Sequence, residues 1–483
     1  MSEVRIKDKI FIGGAFVDPA TDHTLDVVSP VTEEVVARVP EARPEDIDRA
    51  VAAARRAFDE GPWPRMALPE RIAVLRRFRE CYAARMQEVG AQLSREVGSP
   101  ITWSVRAQAG APLGALDYYL TMAPDFAWER EEQGIVGPVV VRHEPVGVVA
   151  AIVAWNAPYF IGMNKLAPAL VAGCTAILKV SPENALSSYI LAEAAAEAEL
   201  PEGVLSVLVA DRGPSAHLSR HPGIDKIGFT GSVAGGQAVM AAAAANLTRV
   251  TLELGGKSAA IVMEDADLDE VLPALAPHLI PNNGQVCVSM TRVLVQRSRY
   301  DEVVEKLATL FRGWRVGDPL DPETVVGPLV SRRQRDRVES YIARGISEGA
   351  RLVTGGGRPT GLDRGWYVEP TLFADVDNSM TIAREEIFGP VVVVIPFEDD
   401  DDAVRIANDS DYGLSGSVWG ADHARARGIA DRMRTGNVGI NGHGASFNIP
   451  FGGYKKSGIG RELGPEGLKA FLEIKAILNG ARH

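Results

Sequence analysis

Cysteine is nearly absent: the 483 residues hold three, Cys81, Cys174 and Cys287. They lie far apart, are odd in number, form no CxxC and have no His-rich cluster nearby, so neither a disulfide framework nor a metal site is expected. A reducing, cytoplasmic setting fits such a chain. Basic charge is in deficit as well, with 51 Lys and Arg against 63 Asp and Glu, a net −12. No polybasic run relieves that balance, so nucleic acid and anionic membrane are poor partners and small ligands are favoured. Uninterrupted apolar runs are also missing. The first residues, MSEVRIKDKIFIGG, mix charge with apolar side chains and lack the core of a signal peptide. The segment most like a membrane span, VGVVAAIVAWNAPYFIGM at 146–163, is interrupted by Asn156, Pro158 and Gly162 and followed by Lys165. It reads as a buried strand running into a loop and a helix.

A chain of this length rarely relies on one hydrophobic core, so two or more domains are expected. The first hundred residues are helical in pattern. PEDIDRAVAAARRAFDE places Pro44 in a first turn and repeats apolar residues at Ile47, Val51, Ala54 and Phe58; a second helix is expected from Pro69 to Val97, stopped by Gly98. From Val146 to the segment RVTLELGG, short Val- and Ile-rich runs alternate with Ala-rich helical stretches. That alternation marks a parallel sheet covered on both faces, a doubly wound nucleotide-binding candidate. A second alternating block, from Ser258 to about Asn441, includes VVVVIPF at 391–397 and GSVWG at 416–420 and implies a second α/β domain. No linker of biased composition divides the blocks, so they are expected to pack together. The acidic EDDDDA at 398–403 is expected to cap a helix start or, as the blander role, simply to form a solvated face.

The stretch PNNGQVCVSMTR sets Cys287 among Asn282, Asn283, Gly284 and Gln285. Free cysteine usually behaves as a small buried hydrophobe, and Cys81 and Cys174 fit that description. The Gly-broken polar turn around Cys287 instead suggests backbone approaching a ligand, the access a nucleophile needs. Glu253, in VTLELGGKSAAIV, is a carboxylate in an apolar strand with Gly255 and Gly256 directly after it; it is a candidate base, or else an edge carboxylate facing water. Asn156, in AWNAPY, could hold an oxyanion through its amide, or simply satisfy a turn. GFTGSVAGG at 228–236 reads as strand, turn and helix start, able to cradle phosphate, though it is not GxGxxG.

Five motifs in order, AWNAPY, LELGGK, GQVC, EEIFGPV and PFGGYKKSGIGRE, resemble the NAD(P)-dependent aldehyde dehydrogenase superfamily over essentially the whole chain. The resemblance implies an α/β fold: a Rossmann-like doubly wound cofactor domain (1–125 and 146–254), a second α/β catalytic domain (255–457) and a small β oligomerisation element (126–145 and 458–483). It implies that Cys287 attacks the aldehyde, that the Asn156 side chain and the Cys287 N–H hold the oxyanion, and that Glu253 deprotonates the water that hydrolyses the thioester. Retention of Glu253 points to hydrolysis rather than transfer to coenzyme A. Lys165 matches a lysine near the active site, and Glu462 a carboxylate that relays protons.

For the cofactor, the resemblance assigns Lys179 to the adenosine ribose, Gly231, Ser232 and Gly236 to the pyrophosphate, and Glu386 and Phe388 to the nicotinamide ribose. Ile152, Trp155 and Leu254 line the same cleft. The glutamate that many NAD-preferring relatives carry three residues after the lysine is Pro182 here, with Glu183 one step later. NAD is therefore expected, with NADP admitted. Ala157 and Asn164 stand where narrow tunnels often carry aromatics, while Tyr159, Phe447 and Phe451 are expected near the entrance. A medium-sized apolar or aromatic aldehyde suits such a tunnel; His443 is expected on a surface loop or in contact with substrate. The family also implies a hairpin at about 125–145 that pairs with KAFLEIKAIL of a neighbouring subunit, giving homodimers or homotetramers. Two alternatives stand beside this reading: a semialdehyde dehydrogenase of amino-acid or polyamine catabolism, and a non-catalytic structural relative.

Overall fold

Five of the apolar runs become parallel strands of one sheet in the computed structural model, which describes residues 4–135, 137–444 and 446–478. Their spatial order is Arg249–Glu253, Lys226–Thr230, Val148–Ile152, Thr175–Val180, Leu205–Val209. The Val148–Ile152 and Thr175–Val180 strands are buried along their whole length, because helices and their cores cover both faces. Short antiparallel strands close the two edges, Ile10–Ile12 against Leu205–Val209 and Gly458–Ile459 against Arg249–Glu253, which blunts edges open to other chains. The order of connection reverses between Val148–Ile152 and Lys226–Thr230. Ligands of open α/β sheets sit outside the carboxyl ends at such a point.

From Val148–Ile152 the chain leaves through Asn156 into the Pro158–Ala172 helix, which opens with a proline in its first turn and closes on left-handed Gly173. From Lys226–Thr230 it turns into the Val233–Ala244 helix. The expected Pro69–Val97 helix is two helices, Leu68–Ala84 and Met86–Val97, hinged at Arg85, whose guanidinium pairs with Glu197 at 2.6 Å; Gly98 does end the second. Asp399 caps the Asp400–Asn408 helix, its carboxylate accepting from the Asp402 N–H at 2.9 Å, as the acidic run suggested.

Past the LGGKS turn a second sheet begins. Six strands run parallel in the order Thr371–Ala374, Val391–Phe397, Arg292–Gln296, Ala259–Val262, Ser415–Trp419, Asn437–Ile440, with Arg351–Thr354 antiparallel at one edge. Apolar cores again fill both sides.

The third element departs from expectation twice. Glu129–Gln133 and Pro138–Pro145 form the hairpin, but the Leu472–Leu478 strand pairs antiparallel with Pro138–Pro145 of its own chain, not a neighbour's. Seven consecutive register pairs, Leu472↔Pro145 through Leu478↔Val139, make that intrachain match continuous. Residues 458–471 do not belong to this element either: Gly458–Ile459 extends the first sheet and Leu468 and Phe471 join its core. The last five residues of the expected element lie outside the described residues.

Candidate active site

The cysteine loop is a rigid scaffold rather than an open polar turn. Asn282 and Asn283 both adopt left-handed backbone, at φ 51° and 63°, a conformation asparagine tolerates better than most residues. Their amides are buried and committed. The Asn282 amide donates to the Asn156 carbonyl at 2.9 Å and its oxygen accepts from Ser99. Asn283 donates to the Gly98 and Pro328 carbonyls, both at 2.9 Å, and accepts from the Gly327 N–H at 2.7 Å. Gln285 accepts from the Val330 N–H at 3.1 Å. Gly284, at φ +75°, lies where a Cβ would overlap the Gly389 carbonyl. The side-chain amides thus brace the loop, a role the sequence reading did not assign to them, while Cys287 itself stays half-buried.

Asn156 donates through Nδ2 to the Gln285 carbonyl at 2.9 Å. One bond therefore ties the Asn156 amide to a residue two positions from Cys287, and the second hydrogen of the same amide is left for an acceptor. Glu253 ends its strand. The following Gly256 lies so close to the Cys287 carbonyl that no side chain fits, which brings the carboxylate strand end and the thiol loop together. Glu253 is 4% exposed and neither oxygen has a hydrogen-bond partner. Burial raises its pKa well above the ordinary carboxylate value and the Glu462 carboxylate adds to the rise, while Lys165 and Arg461 oppose it. The Cys287 thiol is pushed up to about 12 by burial, then by Glu386 and Glu253, with the N–H groups of Cys287 and Val288 pulling the other way. Burial thus disfavours the charged form of both the thiol and the carboxyl group.

Lys165 and Glu462 form a buried pair at 2.7 Å, and Lys165 also donates to Thr230 Oγ1 at 2.6 Å. Residues almost three hundred positions apart meet because Phe451 and Glu462 exchange backbone bonds, folding PFGGYKKSGIGRE back over Glu253. A Cβ on Gly452 of that motif would come 2.7 Å from Glu253 Oε1. Glu386 accepts from the Gly256 N–H at 2.9 Å, and burial pushes its pKa up to about 7.

Ile152, Lys179 and Ser232, three of the residues expected at a dinucleotide site, lie at or just past the carboxyl ends of first-sheet strands. Ser232 caps the Val233–Ala244 helix by accepting from the Gly235 N–H at 3.2 Å, and first-turn N–H groups of such a helix favour phosphate. Gly236 lets the helix lie on Leu254, where a Cβ would come 2.6 Å from the side chain. Trp155, past the end of a first-sheet strand, and Phe388, just before a second-sheet strand, meet edge to face at 5.3 Å. Lys179 is buried, its pKa drawn down to about 8 by desolvation against the pull of Glu183. Ile152 is buried in the strand that leads to Trp155.

Two substrate expectations change. Tyr159 is buried at 4% exposure, stacked on Tyr82 at 5.6 Å with its hydroxyl donating to the Ser187 carbonyl; it is a core residue, not part of an entrance. His443 is half-buried, with Nε2 2.5 Å from Ser415 Oγ and its ring edge-on to His278, rather than on a free surface loop. Ala157 is buried at the helix start, while Phe447 covers Gly114, whose missing side chain makes room for the ring. Sequence reading missed Thr230, Ser457 and Gln334. Ser457 donates to the Gly255 carbonyl at 2.7 Å and accepts from the Gly413 N–H, and Gln334 donates to the Phe388 carbonyl at 2.7 Å. Ser457 and Thr230 carried a signal, their places within PFGGYKKSGIGRE and GFTGSVAGG.

Residues 16–477 match the family model described as the aldehyde dehydrogenase family. A geranial dehydrogenase of Castellaniella defragrans is 49% identical over 97% of this chain and 98% of its own. The crystal structure of a Mycobacterium tuberculosis aldehyde dehydrogenase complexed with NAD+ superposes with a TM-score of 0.97 at 48% identity, covering 100% of both chains. An aldehyde dehydrogenase C mutant from Pseudomonas syringae, complexed with NAD+ and octanal, gives 0.95 at 39% identity over 99% and 98% of the two chains.

Proposed function

Because the chain belongs to the aldehyde dehydrogenase family, we propose that Cys287, Glu253 and Asn156 are the groups with which it oxidises its substrate. The protein is an NAD(P)-dependent aldehyde dehydrogenase; the assignment of its parts is our reading. Cys287 Sγ adds to the aldehyde carbon, and Glu253 takes the thiol proton. The Asn156 amide and the Cys287 N–H donate to the oxygen that becomes negative. When bound, the dinucleotide supplies a hydride acceptor. Glu253 then deprotonates the water that cleaves the Cys287 thioester, releasing the acid and restoring the thiol. Lys165 and Glu462, paired behind Glu253, carry its proton onward.

The observation that supports this reading is the close approach of the Gly256 backbone, three residues after Glu253, to the Cys287 carbonyl. Ser232, Gly231 and Gly236 would hold the pyrophosphate, Lys179 and Glu183 the adenosine ribose, and Glu386 and Phe388 the nicotinamide ribose, with Ile152, Trp155 and Leu254 as the walls. Geranial, named for one relative, and octanal, present with another, are both medium-sized apolar aldehydes. They support a substrate of that class here, enclosed by Ala157, Phe447 and Phe451. Self-association is proposed through the Leu472–Leu478 strand, whose outer edge pairs with no other strand among the described residues and whose Ile474 and Leu478 are 68% and 75% exposed. No described helix is long and apolar enough to cross a membrane, and three unpaired thiols favour the cytoplasm.

The test is reduced-nicotinamide formation by purified protein with aliphatic, aromatic and semialdehyde substrates, each with NAD+ and NADP+, beside Cys287→Ala. Turnover on octanal or citral that vanishes in the variant supports the reading. Preference for charged semialdehydes would replace the substrate class, and unchanged turnover in Cys287→Ala would end the assignment of the nucleophile.

A further inference from the structure

Directly after the active-site turn, the second sheet encloses a cavity walled by Lys257, Ser258, Arg292, Tyr412, Arg434 and Thr435. It has room for about one water-sized sphere. Lys257 is 2% exposed and its ammonium has no hydrogen-bond partner; the same holds for the Ser258 and Thr435 hydroxyls. An unpaired ammonium held away from water is costly, far more so than a hydroxyl. Arg292, also 2% exposed, fixes this wall: it donates to the Lys257 carbonyl at 3.0 Å, to Asn378 Oδ1 at 2.9 Å and to the Ile406 and Ala407 carbonyls at 3.0 and 2.9 Å. Every acceptor there is neutral, so the guanidinium charge remains uncompensated by its own partners. Among the described residues lining the cavity are three cations, Lys257, Arg292 and Arg434, and no carboxylate.

We propose that this cavity is a binding site for a single small inorganic anion of chloride size, held by the Lys257 ammonium and the Ser258 and Thr435 hydroxyls and favoured by the Arg292 charge. A space of about one water-sized sphere suits a monatomic anion, and the three cationic side chains in its lining, with no carboxylate among them, favour an anion over a neutral water. Burial and Arg292 draw the Lys257 pKa down to about 7, against Glu386 and Glu385; a bound anion would reverse that drift by compensating the charge. The site lies one residue beyond Gly256, whose N–H holds Glu386, so its occupancy bears on the rigidity of the active-site turn.

The test compares thermal unfolding of the full chain in sodium chloride and in sodium gluconate at equal ionic strength, with Lys257→Met beside it. Chloride should raise the midpoint by about 2 °C, and the increment should disappear in Lys257→Met while the gluconate value does not fall. Equal midpoints in the two salts, or an increment that survives in Lys257→Met, would overturn the proposal. Should Lys257→Met fail to fold, Ser258→Ala takes its place with the same two readings. Crystals in bromide give an independent answer: an anomalous peak between the Lys257, Ser258 and Thr435 side chains supports the site, and ordinary water density there refutes it.

Discussion

At the scale of single residues, the site is a set of groups whose proton affinities are displaced by burial. Glu253 is the clearest case. Its raised pKa means that the base form is gained at higher pH than for an ordinary carboxylate, so thioester hydrolysis should accelerate as pH climbs above the usual carboxylate range. A pH profile of steady-state turnover checks this; Glu253→Gln should flatten the profile and lower kcat by about 10²–10⁴-fold. Asn156 acts by hydrogen bonding alone. Asn156→Ala should reduce kcat by about 10²–10³-fold with a much smaller change in KM, read from kinetics on one aldehyde at saturating cofactor. The Lys165–Glu462 pair is buried on both sides, at 0% and 5% side-chain exposure. Lys165→Met would strand the carboxylate and cost about 3–5 kcal/mol in chemical denaturation, whereas the double change with Glu462→Gln should recover much of that loss.

Among elements, the decisive one is the turn at Gly255–Gly256. Gly256 lies against the Cys287 carbonyl and Gly255 against the Glu386 carboxylate, so the turn leaving the Glu253 strand packs on the cysteine loop and on Glu386 through backbone, where any side chain would clash. Gly256→Ala should lower both stability and kcat, the stability by roughly 1–3 kcal/mol as for other overpacked sites; circular-dichroism melts and turnover measured on one preparation would reveal either effect. Much of this element scale was legible in the sequence. Unbroken Val and Ile runs gave the parallel strands because a doubly covered sheet tolerates no alternation, and Glu253 stood out as a carboxylate inside such a run. The role of Asn282, Asn283 and Gln285 was not legible: a polar turn bracing itself on Gly98, Pro328 and Val330 looks the same in sequence as one facing a ligand. Tyr159 misled for a related reason, since its position in the chain is fixed by the motif but its direction is set by Tyr82 and Ser187.

For the whole molecule, the third β element is the feature that pattern reading placed on the wrong partner. Strand propensity identified Pro138–Pro145 and Leu472–Leu478, but propensity carries no information about which copy supplies the neighbouring strand. The match is made within one chain and includes the bond from Lys475 to Glu144, 331 positions apart. Closing so long a loop belongs to the end of folding, when the chain between is already ordered. At ordinary rates of synthesis the ribosome needs roughly 20 to 60 s to make that intervening length. Throughout that interval one edge of the hairpin waits without its partner, on a nascent chain among others like it. The interval in which this protein is most exposed to misassembly is therefore set by the distance along the message between two strands, and a chaperone that shields the hairpin during translation would act on that step above all others.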